Sequence, residues 1–169
     1  MLSETNINKF ISDAYRAIDE KAKSNSLIQG LTGIVGFPYT MLADGAVIFT
    51  HYGTMFNEIR ALKGYGKVGK EVIEPVVKSI SSEILFDLVG DKILGQIPVL
   101  GIYFNAICAK TMTWRLGILF SMITLHGEQI DEVSAKHMAK ELRSAFPQSS
   151  AMTFTQPSYE SFEKILVEQ

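Results

Sequence analysis

Apolar side chains return every three or four residues along nearly the whole of this chain, the spacing of helices with one buried face. Between Thr5 and Ser24, residues Ile7, Phe10, Ile11, Ala14, Ile18 and Ala22 share a face, while Glu20, Lys21 and Lys23 fall mainly on the other. Leu27 to Val35 predicts a short second helix whose Gly30 and Gly33 would let a neighbour approach closely. Pro38 suits the first turn of a third helix, patterned by Met41, Leu42, Val47, Ile48, Phe56, Ile59 and Leu62 and capped at Gly64. Helical spacing resumes near Val72 and runs to Val89, with Pro75 starting or kinking it. A long apolar helix is predicted from Ile102 to Leu125, an acidic amphipathic one from Ile130 to Phe146, and a short last one from Ser158. Strand alternation is missing, apart from a short extended piece allowed at Ala151 to Thr155. The expected fold is all-α: a compact bundle of about seven helices in one domain, 1–169, with two long apolar helices following Gly/Pro corners.

Two stretches, Ser24 to Ala43 and Ile93 to Ala109, carry no charged side chain. Each is interrupted, the first by Gly33, Gly36 and Pro38, the second by Pro98 and Gly101, after Gly90 has opened the approach. A bilayer span needs about 20 consecutive apolar residues. The prolines, with Gln29, Asp44, Gln96 and Asn105, break or polarise both candidates. Helices folded back at corners are expected, with at most peripheral membrane contact.

Composition narrows the chemistry. The 169 residues are 47% hydrophobic with a mean hydropathy of +0.15, which excludes a disordered chain. A net charge of −2, a pI of 5.9 and the lack of a Lys/Arg cluster argue against direct nucleic-acid binding. Cys108 lies in an apolar helical run, where a buried, inert thiol is expected. His51, His126 and His137 are too far apart in sequence for a helix-face pair, so no metal site is expected. Gly64-Tyr65-Gly66-Lys67-Val68-Gly69-Lys70 has the glycine and lysine spacing of a phosphate loop, but Glu71 stands where a magnesium-binding hydroxyl belongs, and a helix precedes it. A helix cap and turn is the expectation there. No cofactor and no catalytic residue is assigned, and the N-terminal residues lack a secretory pattern, so a cytoplasmic, non-enzymatic protein is expected.

Two charged residues sit in apolar helices: Asp44 and Arg115. Each faces solvent or finds a partner inside, because an unpaired buried charge costs several kcal/mol, on the order of 3–5. Pairing of Arg115 with Asp44 is expected if their helices run antiparallel, and with Glu58 if parallel. Gly36, Pro38, Gly64, Pro98 and Gly101 complete the set of structural positions. The last third displays carboxylates at Glu128, Asp131, Glu132, Glu141, Glu160, Glu163 and Glu168. Acidic faces attract basic partners, so Glu128, Asp131, Glu132, Glu160 and Glu163 are the candidate partner-binding residues. The sharpest form of this expectation is an immunity or antitoxin protein covering the cationic active site of a nuclease toxin.

The run Gly33-Ile34-Val35-Gly36-Phe37-Pro38-Tyr39-Thr40-Met41-Leu42-Ala43-Asp44, ending at Arg60-Ala61-Leu62-Lys63-Gly64-Tyr65-Gly66, resembles the first block of the EcsC-like and YcjF-like bacterial helical domains. Ile97-Pro98-Val99-Leu100-Gly101, Asn105 and Thr113-Trp114-Arg115-Leu116-Gly117 are similar to their second block. The resemblance implies a helical domain that accompanies a GTPase or sits near membranes. It gives the alternative expectation: a membrane-associated accessory domain working with a bacterial GTPase or transporter.

Overall fold

Within the helix Pro98–His126 the segment 111–124 has no face to turn to water, since every residue in it is buried. A helix apolar all round must be enclosed by others, and this one organises the molecule. The computed structural model describes residues 4–32, 45–85, 98–145 and 154–168. Among them are six helices and no strand: α1 (Glu4–Thr32), α2 (Gly45–Ala61), α3 (Lys70–Leu85), α4 (Pro98–His126), α5 (Glu132–Ala145) and α6 (Tyr159–Val167). The protein is all-helical, with six helices among the described residues where the spacing predicts about seven.

The missing break is in α1, which runs unbroken through Ser24 to Ser26, where two helices were expected. Its cause is tertiary. Asn25 is buried, and its side-chain amide donates to Thr113 Oγ1 of α4 at 3.1 Å. That bond holds the chain helical across weak helix formers that local propensity alone would leave undecided.

α1 lies antiparallel along α4, with Ile18 over Gly117 and Asn25 on Thr113, and Tyr15 is 5.1 Å from the Trp114 ring. A Cβ at Gly117 would fall 2.5 Å from Ile18 Cγ1, so the absence of a side chain sets this close approach. α2 runs parallel to α4: Tyr52 lies against Thr113, and the Phe56 ring lies tilted, 4.5 Å from that of Phe120. α5 packs on α3 and α4, pinned by Arg143 to Glu83 at 3.1 Å. Phe162 of α6 closes the other side, edge-on to Tyr15 and Trp114.

Three hydroxyls of α4 turn back on their own helix. Thr111, Thr113 and Ser121 donate to the carbonyls of Ile107, Ala109 and Gly117 at 2.9, 2.7 and 2.8 Å. Arg115 is buried, 3% exposed. The parallel course of α2 does not bring Glu58 to it, because Tyr52 and Phe56 occupy that level and Glu58 faces solvent. Asp44 lies outside the described residues, as do Gly36, Pro38 and the first corner.

Two helix starts differ from expectation. α4 begins at Pro98 and takes in Leu100 and Gly101, which the spacing had assigned to the second corner. Proline at a first helical position loses no hydrogen bond. α3 begins at Lys70, so Pro75 stands inside it. The proline faces solvent, where water can serve the Glu71 carbonyl that loses its partner.

Candidate functional site

One end of the bundle gathers the start of α1, the ends of α2, α4 and α6, and the starts of α3 and α5. Arg60, near the end of α2, ties it together. Its guanidinium is buried, 2% exposed, and donates from Nε to the Gly66 carbonyl at 3.0 Å and from Nη1 to the Glu128 carbonyl at 2.9 Å. The Phe56 and Tyr65 rings lie 5.8 and 5.5 Å from Cζ. A planar fork with several fixed donors joins two loops in this way better than the single ammonium of a lysine.

The loop between α2 and α3 is a helix cap followed by a clamped turn. Gly64 has φ of 76°, its N–H bonds to the Ala61 carbonyl, and the Tyr65 N–H reaches the Arg60 carbonyl. These two bonds are the Schellman closure, and the positive φ is why glycine stands there. Asn57 then holds Val68 at two points, accepting from its N–H at 2.9 Å and donating to its carbonyl at 3.1 Å. The Glu71 carboxylate folds against Gly69, where a Cβ would otherwise stand. A phosphate cradled by this loop would meet that negative charge.

Other candidate chemistry is dispersed or shielded. Cys108 is fully buried, and burial pushes its thiol up to about 12, with Arg115 pulling partly the other way. It is therefore a protonated thiol at neutral pH. Burial also raises the Tyr52 hydroxyl, and its interaction with Thr113 lowers it in part. Among the described residues no three His, Cys, Asp or Glu side chains converge as metal ligands.

The candidate partner-binding carboxylates divide by what holds them. Asp131 caps α5, accepting from the Ser134 N–H at 2.8 Å and from the Ser134 hydroxyl, and these bonds lower its pKa. Glu132 occupies the first turn of α5 and Glu160 that of α6. Glu160 is lowered by the backbone N–H of its own residue and by Ser158. Three of the five thus lie where a helix dipole favours negative charge. Glu128 reaches Arg60 only through its backbone, and Glu163 shares with Glu160 the arc of α6 that carries Val167. Several other carboxylates are paired: Asp13 with Lys9 and Arg16, Asp19 with Lys23, Glu74 with Lys70 and Lys78, Glu83 with Arg143, whereas Glu20, Glu58 and Glu71 make no ion pair among the described residues. None of Glu128, Asp131, Glu132, Glu160 and Glu163 makes an ion pair among the described residues.

Between α5 and α6, over the end of α4, runs an open groove of about 530 Å³. Ile7, Met122, Leu125, Met138 and Leu166 form its apolar floor, and His126, Ser134, His137 and Glu141 one polar wall. His137 Nδ1 lies 3.3 Å from Glu141. His126 and His137, far apart in sequence, are brought together here by the turn between α4 and α5. Neither the groove nor Arg60 is visible in the helical spacing. Arg60 lies next to the apolar stripe position Ile59 and beside a glycine-rich turn, which is the only sequence sign of its role.

Compared with protein-family models, with curated proteins and with solved structures, the chain matches none.

Proposed function

We propose that this chain is a non-catalytic protein-binding module, in its most concrete form an immunity or antitoxin protein that neutralises a cationic, nuclease-type toxin in the cytoplasm. The supporting observation is the carboxylate set Glu128, Asp131, Glu132, Glu160 and Glu163, left without cation partners among the described residues while Asp13 and Asp19 of α1 and Glu74 and Glu83 of α3 are paired. Such a surface accelerates encounter with a basic protein and fixes its orientation. The partner in this reading is a basic protein; no cofactor takes part. Co-expression with the products of adjacent genes tests it. A stable complex that is lost when Glu128, Glu132 and Glu163 are changed to lysine supports the proposal, and absence of any complex removes it.

A second reading, a membrane-associated accessory domain of EcsC-like type working with a GTPase or transporter, has one observation of its own. Leu62 and Val72 are exposed, 39% and 38%, on either side of a loop carrying Lys63, Lys67 and Lys70. Apolar tips among lysines suit an anionic lipid surface. The segment Ala106–His126 is long and apolar enough to span, with mean hydropathy 1.2, but 89% of its most apolar 18-residue stretch is buried within the bundle. Any contact would therefore be peripheral, and co-sedimentation with anionic vesicles separates the two readings.

A further inference from the structure

We infer that the groove between α5 and α6 seats an amphipathic helix of the partner, one with an apolar stripe flanked by basic side chains. The inference rests on the protein-binding reading above and adds the place and shape of the contact. Its first support is the floor: Met122, Met138, Leu125 and Leu166 offer an apolar strip, two of them thioethers that adjust to varied side chains. Its second is openness. The His137 side chain is 73% exposed and Val167 61% exposed, so a small molecule would lie largely in water, whereas a helix needs only one face covered.

Charge selects the kind of helix. Asp131 stands where α5 starts, Glu141 is in the wall, and Glu163 lies one turn before Val167 on α6. The cations of these two helices are turned away or engaged. Lys136 and Lys140 lie on the opposite arc of α5 from Ser134 and Glu141, Arg143 is held by Glu83, and Lys164 is 3.8 Å from Glu168. The rim is therefore acidic on both sides of an apolar floor. A helix with an acidic polar face would be repelled from the same seat.

Two synthetic peptides of about 15 residues, long enough to hold a helix when bound, test the inference against the full-length protein. Both carry the same leucine stripe; one has a lysine polar face and the other a glutamate polar face. Titration followed by methyl NMR is expected to shift the Met122 and Met138 resonances with the lysine peptide only, with affinity falling as salt rises. Glu141→Lys with Glu163→Lys, both partly exposed, should weaken binding about tenfold, and Val167→Ser by about threefold. Equal binding of the two peptides, or binding that leaves both methionines unmoved, overturns the inference. So does self-association that shifts the same methyls, which would make a second copy the occupant. A toxin complex unaffected by variants that abolish peptide binding would reject the groove as its seat and leave the proposed function standing. Peptide binding intact without any adjacent-gene complex would reject the function and retain the groove.

Discussion

α4 and the pair α5–α6 lie against one another and are built on opposite terms. In α4 an unbroken run of 14 residues, 111–124, is buried, and three of its hydroxyls, those of Thr111, Thr113 and Ser121, bond within the helix. In α5 only Ala135, Ala139 and Leu142 are buried, and in α6 only Phe162 and Leu166. Buried apolar area is what folding draws on, so α4 carries the stability of the bundle while α5 and α6 are attached to it by one face. Recognition can be placed on the lightly held pair because changing their outer residues leaves the core intact.

The sharpest way to break this contrast is to cut the core at Trp114, which is fully buried and contacts the rings of Tyr15 and Phe162. Trp114→Ala should cost about 3–5 kcal/mol, seen as a large drop in the urea midpoint. A loss no greater than that of a surface variant would show that α4 is not the centre of stability. Arg60→Met comes next, since it strips the Gly66 and Glu128 carbonyls of their donor. A loss of about 2 kcal/mol is expected, with Arg60→Lys restoring only part of it in chemical denaturation.

Gly117→Ala discriminates between propensity and packing. In an open helix alanine would stabilise by about 0.5–1 kcal/mol. Here the new methyl meets the stiff, branched Ile18, so a destabilisation of about 1–2 kcal/mol is expected by calorimetry. A gain in melting temperature would mean that α1 can move off α4 freely. On the lightly held side, Ser158→Ala removes the α6 cap that accepts from the Ser161 N–H at 3.2 Å. About 1 kcal/mol should be lost, read as faster amide exchange in α6 with α4 unchanged.

The smallest effect concerns acid. Asp131 has its pKa held below the ordinary 3.8 by the Ser134 hydroxyl and by backbone N–H bonds, so the folded state binds its proton less readily than the unfolded one. Its contribution is complete above about pH 4 and fades as pH falls through the lowered value. Asp131→Asn should flatten the stability-against-pH curve only in that acidic window. A change confined to neutral pH would contradict the cap geometry.

Much of the helical pattern was legible in the sequence because a period of three to four residues needs only local spacing. The cap at Gly64 shows the same locality, since an end-of-stripe glycine carries its own conformational signature. The continuity of α1 was not legible, because it depends on Asn25 meeting Thr113, 88 positions away. The acidic positions could be read as a set but not sorted: only the helix starts reveal that Asp131, Glu132 and Glu160 also serve their own helices.

The order of side chains by itself determined an all-helical chain, a central segment too apolar to face water and an acidic last third, for these follow from spacing and charge. Tertiary structure alone decided that α2 lies parallel to α4, that Arg60 joins two loops, and that two distant histidines border one groove. Those outcomes depend on which faces meet in space, and one-dimensional periodicity fixes the face a helix hides without fixing the neighbour it hides against.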